Sequence, residues 1–240
     1  MTTNVHPVAL VTGAARRIGT AIAVHLHRAG FRVAVHYHQS AAAAADMVAM
    51  FNQTRQDSGL ALSANLCTPT AYQDLLSTLM THWGRLDLLV NNASIFSSDD
   101  ADWDKMWQCN VQAPYWLSRA AFPYLQATQG SIVNITDIHA HAPLRHYAAY
   151  CQTKAALAMQ TRALAQEFAP TVRVNAVAPG AIAWPEGDNQ IDPLIQNKIV
   201  AKTLLKRHGE PDHIAQAVLY LAQNNYVTGQ SLQVDGGRYI

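Results

Sequence analysis

Tyr150 and Lys154 stand four residues apart. On a helix that spacing sets both side chains on one face. A phenol placed there can give or take a proton. An ammonium beside it stabilises phenolate and draws the tyrosine pKa toward the working range. Asn110 is a further candidate polar group. Far upstream, the run Thr12-Gly13-Ala14-Ala15-Arg16-Arg17-Ile18-Gly19 follows a short apolar stretch and precedes a helical pattern. Small residues let the backbone turn tightly beneath a pyrophosphate, and a helix N-terminus supplies N–H groups and partial positive charge. In that context the glycine turn reads as a dinucleotide site.

The elements that must position these groups alternate. Strands are expected at Val8–Val11, Arg32–His36, Leu60–Asn65, Leu86–Asn91, Ser131–Thr136, Arg173–Ala178 and Ser231–Val234. Helices are expected at Ile18–Ala29, Ala41–Phe51, Thr70–His82, Trp103–Gln126, Ala148–Phe168 and Asp212–Gln223. Such alternation predicts a doubly wound α/β fold, one parallel sheet of about seven strands with helices on both faces. Ligands of such sheets bind outside the carboxyl ends of the strands. The second strand end carries His36-Tyr37-His38-Gln39-Ser40, with no carboxylate until Asp46. An acid there would hold a ribose 2′-hydroxyl and repel a 2′-phosphate. His38, Gln39 and Ser40 instead offer donors, with Arg17 adding charge, which points to NADP rather than NAD. Asn65 and Leu66 flank the adenine position. Asn91-Asn92-Ala93-Ser94 passes the ribose and nicotinamide, and Pro179-Gly180 borders the nicotinamide from another side.

Composition narrows the classes. The chain has 240 residues, half of them hydrophobic, 14% charged and with a net charge of +1. That excludes a disordered tail and argues against a phosphate-backbone binder. One domain over residues 1–240 is expected. No apolar run reaches the roughly 18 residues a spanning helix needs, and MTTNVHPVALVTG is not a secretory signal. Cys67, Cys109 and Cys151 form no CxxC pair and fit reduced thiols in a cytoplasm. His139, His141 and His146 cluster without completing a metal-ligand pattern, so no metal is expected. Trp103 and Trp107 suit packing or a subunit face. The segment Ala181–Pro193, with Trp184, reads as a lid over the substrate.

Taken together, Thr12-Gly13…Gly19, Asn91-Asn92-Ala93, Asn110, Tyr150…Lys154, Pro179-Gly180 and the ending Val234-Asp235-Gly236-Gly237 resemble the short-chain dehydrogenase/reductases over essentially the whole chain. Three departures resemble the pteridine reductase subgroup, which includes dihydromonapterin reductase. Arg17 stands for a common glycine, Asp137 for the usual serine and Ser94 for the glycine after Asn-Asn-Ala. His36–Ser40 resembles that subgroup's His-Tyr-His-Arg-Ser segment, with Gln39 removing one cation. The resemblance implies NADPH held by Gly13, Arg17, Ile18, Gly19, Tyr37, His38, Gln39, Ser40, Asn65, Leu66, Asn92, Ala93, Tyr150, Lys154, Pro179, Gly180 and Ile182. It implies a pterin held by Arg17, Ser94, Phe96, Asp137 and Tyr150, with Phe96 stacked on the flat ring. Tyr150 would be the acid, Lys154 its tuner and ribose anchor, and Asn110 a support of the proton path. A homotetramer is implied as well. Two alternatives remain: a carbonyl reductase of the same superfamily, acting on a ketone or 3-oxoacyl group, and a non-catalytic NADP-binding regulator.

Overall fold

The computed structural model describes residues 6–68, 70–182, 184 and 192–239. The elements run β1 (Val8–Val11), α1 (Arg17–Arg28), β2 (Arg32–Tyr37), α2 (Ala41–Thr54), β3 (Gly59–Ser63), α3 (Ala71–Trp83) and β4 (Leu88–Asn91). After these come α4 (Trp103–Trp107), α5 (Ala113–Thr128), β5 (Ser131–Ile135), α6 (Ala148–Phe168) and β6 (Arg173–Pro179). The chain continues through α7 (Pro193–Ala201), α8 (Pro211–Gln223) and β7 (Ser231–Val234). The seven strands form one sheet in the order β3-β2-β1-β4-β5-β6-β7. Every pair is parallel.

Alternation along each strand builds the two helical layers. Ala9 and Val11 of β1 face a core with Ile22 and Leu26 of α1, Met47 and Phe51 of α2, and Ile214, Val218 and Leu221 of α8. Val8 and Leu10 face the opposite core, with Leu75 and Leu79 of α3, Leu117 and Leu125 of α5, and Leu164 and Phe168 of α6. Burial on both faces explains why the strands read as nearly continuous apolar runs. The strand order reverses between β1 and β4, and a crevice opens at the carboxyl ends of such a reversal.

Three expectations are corrected. Trp103–Gln126 is not one helix: Gln108–Gln112 is a π-helical turn between α4 and α5. Pro114 has no N–H to give to the Asn110 carbonyl, so the regular ladder cannot pass through. Instead the Ala113 N–H reaches back five residues to the Gln108 carbonyl. Second, β3 stops at Ser63, which leaves Asn65 and Leu66 in the following turn. Third, α7 was not anticipated; the Asp192 side chain accepts from the Leu194 N–H at its start. Of the proposed lid, residues 183 and 185–191 lie outside the described residues. No helix among the described residues is long and apolar enough to cross a membrane.

Candidate active site

The glycine turn lies at the end of β1 and is tied from three sides. Thr12 Oγ1 accepts from the Asn92 and Ala93 N–H groups at 2.9 and 3.0 Å. The Asn92 side-chain amide donates to the Thr12 and Gly13 carbonyls at 2.9 and 3.1 Å. From β2, His36 takes the Gly13 N–H on its Nδ1 at 3.1 Å, and its own carbonyl takes the Ala14 N–H at 2.9 Å. Thr12 and His36 belong to the site and were missed as candidates. Asn92, expected on the cofactor, clamps the turn through its side chain.

The turn fits a dinucleotide pyrophosphate. Gly13 has φ +61°, and a Cβ on Gly19 would lie 2.2 Å from the Gly13 carbonyl oxygen. Only hydrogen allows this closeness. The first turn of α1 carries no acidic residue. Its leading N–H groups lack helical partners, and the helix dipole favours an anion there. Ile18 and Gly19 lie in that turn. Arg17, where the common pattern has glycine, keeps the glycine-like conformation with φ +52°. Its guanidinium donates to the Trp184 carbonyl at 3.0 Å, which links the turn to the segment after β6.

His38 and Gln39 are exposed just beyond β2, with Tyr37 and Ser40 half-buried beside them. Asn65 closes a turn by accepting from the Cys67 N–H at 3.1 Å, and Leu66 packs into the core. On the far side Pro179 is buried at the end of β6, and the Gly180 N–H donates to the Val234 carbonyl at 3.0 Å. A Cβ on Gly180 would strike Asp235 at 2.6 Å. Ile182 is buried and packs against Gly209.

The second half of the site is built on α6. Tyr150 and Lys154 share its buried face. The Tyr150 hydroxyl donates to Asp137 Oδ2 at 2.7 Å. Asp137 Oδ1 accepts from the His139 N–H at 2.8 Å, so the carboxylate caps the short turn Ile138–Ala140 as well as holding the phenol. Lys154 Nζ donates to the Ile135 carbonyl at 3.0 Å and lies 5.7 Å from the Tyr150 ring centre. Burial pulls the lysine pKa down to about 8, with the Asp137 charge partly opposing.

The expectation that Lys154 draws the tyrosine pKa down is overturned. Burial, then the Asp137 charge and hydrogen bond, push it well above the usual tyrosine range. Burial disfavours the phenolate, and a carboxylate in hydrogen-bond contact adds to that. The shift favours the protonated phenol.

Asn110, in the π-helical turn, is buried and fully engaged. Its Oδ1 accepts from the Ile95 N–H at 2.8 Å and the Ser94 hydroxyl at 3.1 Å. Its Nδ2 donates to the Ile95 carbonyl at 2.9 Å and Thr153 Oγ1 at 3.0 Å. The side chain thus fastens the Ser94–Ile95 loop to α6 between Tyr150 and Lys154; its part in the site is positional. Phe96, on the same loop, stacks on Tyr147 at 4.5 Å and meets Tyr150 edge-on at 4.8 Å. Among the described residues no group of His, Cys, Asp and Glu is arranged to hold a metal ion.

Known proteins agree with this architecture. The family described as Enoyl-(Acyl carrier protein) reductase matches residues 13–238. The chain belongs to this family, within the short-chain dehydrogenase/reductase superfamily of oxidoreductases. It is 33% identical to the granaticin polyketide synthase putative ketoacyl reductase 2 of Streptomyces violaceoruber, over 98% of this chain and 96% of the relative. It is 33% identical to pteridine reductase 1 of Leishmania tarentolae, over 96% of each. It is 35% identical to the 3-oxoacyl-(acyl-carrier-protein) reductase of Rickettsia prowazekii, over 95% of each.

Proposed function

We propose that this oxidoreductase is an NADPH-dependent pterin reductase, converting a 7,8-dihydropterin to its tetrahydro form. The observation that carries the reading is the Asp137 carboxylate on the Tyr150 hydroxyl at 2.7 Å, where a ketone reducer would present a serine. NADPH, when bound at the glycine turn, supplies a hydride for C6 of the ring. Tyr150 delivers the proton to N5. Its raised pKa suits that role, because N5 becomes far more basic than phenolate as the electron pair arrives. Asp137 directs the phenol and, with its remaining lone pairs, accepts from pterin N–H groups. Lys154 offsets the negative charge left on Tyr150 and anchors the nicotinamide ribose. Phe96 has one face on Tyr147 and can offer the other to a flat ring. Arg17 and Ser94 complete the substrate contacts.

Single-domain organisation, a cytoplasmic location and a homotetramer belong to the same reading. Half-exposed Trp116 on α5 and Met159 on α6 suit a subunit face. The relatives named for ketoacyl reduction favour a second reading, reduction of a 3-oxoacyl carbonyl by the same Tyr150 and Lys154. Initial rates of NADPH oxidation with dihydrobiopterin, dihydromonapterin, dihydrofolate and a 3-oxoacyl thioester separate the two. Turnover of the dihydropterins with little on the thioester is expected. The reverse order would replace the pterin reading by the carbonyl one, and NADPH binding without any turnover would favour a regulator.

A further inference from the structure

His36 is a buried titratable group that the chemistry above does not use. It is 2% exposed at the end of β2. Both ring nitrogens have partners. Nδ1 meets the Gly13 N–H at 3.1 Å, and Nε2 meets the Ala64 carbonyl at 3.1 Å. A carbonyl only accepts and a backbone N–H only donates. The ring is therefore the neutral tautomer with its proton on Nε2. Burial, which pushes its pKa down to about 4, holds it in that form at ordinary pH.

These two bonds join two separate parts of the crevice. Gly13 is the left-handed residue of the phosphate turn, and Ala64 immediately precedes Asn65 and Leu66 on the adenine side. With the Gly13 N–H on His36 and the Gly13 carbonyl on Asn92, both flanking peptide groups of the turn are held by side chains of the protein. A turn held in one shape loses little conformational entropy when a ligand binds.

We propose that His36 is a positioning residue for the dinucleotide: it preorganises the glycine turn through Nδ1 and sets the spacing from that turn to the adenine-side loop through Nε2. The proposal rests on reading the turn as the NADPH site. The Gly13 N–H is then not a phosphate donor, and the pyrophosphate relies on N–H groups further along the turn and at the start of α1. His36 touches no reacting atom, so its removal weakens cofactor binding and leaves saturated turnover nearly unchanged.

The test is direct NADPH binding, followed by the cofactor's fluorescence, on the full chain with three substitutions. His36→Asn keeps an acceptor at the Nδ1 position. His36→Gln keeps an amide at the Nε2 position but no acceptor for Gly13. His36→Leu removes both. We expect the Kd for NADPH to rise about tenfold or more in the Leu variant, which loses both bonds, and by a smaller factor of about threefold or more in the Asn and Gln variants, each of which keeps one. The kcat at saturating NADPH is expected to stay within about twofold in all variants. A space-filling role predicts wild-type affinity in every variant, and that result overturns the proposal. If His36→Leu does not fold, the Asn and Gln variants decide, and wild-type affinity in both overturns it. Wild type that binds no NADPH would overturn the cofactor reading itself, a failure distinct from a variant series that binds like wild type.

Discussion

Asp137 and Lys154 decide what Tyr150 can do. Burial and the carboxylate together raise the phenol's pKa, which favours an acid over a phenolate base. Asp137→Ser removes the charged acceptor and leaves a hydroxyl. Losing an ionised acceptor facing substrate N–H groups costs about 1.5–3 kcal/mol, so kcat/KM for a dihydropterin is expected to fall about 10- to 150-fold. NADPH binding should be retained. A paired assay on dihydrobiopterin and a ketoester checks this, and unchanged pterin turnover would reduce Asp137 to a turn cap. Lys154 makes a pH prediction. Its pKa is lowered to about 8, so its ammonium is present below that value and is lost as pH rises through it. Because kcat/KM reports the free enzyme, its alkaline limb is expected near pH 8. A profile flat to pH 10 would mean that the charge of Lys154 does not serve the reaction.

On the proposed reading, the turns after β1 and β2 are the elements that select the cofactor. A Cβ at residue 19 would meet the Gly13 oxygen at 2.2 Å and Asn92 Nδ2 at 2.7 Å. Backbone cannot yield as a flexible side chain does. Gly19→Ala is therefore expected to open the turn and raise the Kd for NADPH by about tenfold or more, about 1.4 kcal/mol. Isothermal titration measures it directly. The turn after β2 presents exposed His38 and Gln39 with no carboxylate to repel a 2′-phosphate. A preference for NADPH over NADH of about tenfold or more in kcat/KM is expected, again about 1.4 kcal/mol. Equal values for the two cofactors would show that Gln39 does not sustain the preference. The π-helical turn acts at this scale too, since it carries Asn110 to the point where loop and α6 meet.

The whole molecule carries an acid weakness that follows from His36. Its pKa is about 4 when folded and near 6.5 when unfolded. Between these values the unfolded chain binds the extra proton, so stability rises with pH across that window and is lost as pH falls from 6.5 toward 4. Two and a half pKa units correspond to about 3 kcal/mol. Urea midpoints at pH 7 and pH 4.5 should therefore differ less for His36→Asn than for wild type. An unchanged difference would show that His36 contributes nothing to acid unfolding. His27 and His208, whose pKa values burial also lowers, act in the same direction, and the comparison of variant with wild type removes their share.

The sequence by itself determined the strand–helix alternation, and with it the parallel sheet and the crevice at the carboxyl ends of the strands. Apolar periodicity is a local signal, carried by residues within a few positions of one another. The spacing of Tyr150 and Lys154 was legible for the same reason, because one helix fixes both. Pro114 also marked the break after Asn110 locally, although the stretch read as one helix. The direction of the Tyr150 pKa came from the fold, because packing buries the phenol and Asp137 reaches it from a different element. Only the fold showed that Asn92 and Asn110 clamp loops, and that His36 bridges Gly13 and Ala64 across 23 and 28 residues of chain. A hydrogen bond between strands leaves no periodic trace in sequence; it exists once β1, β2 and β3 lie side by side.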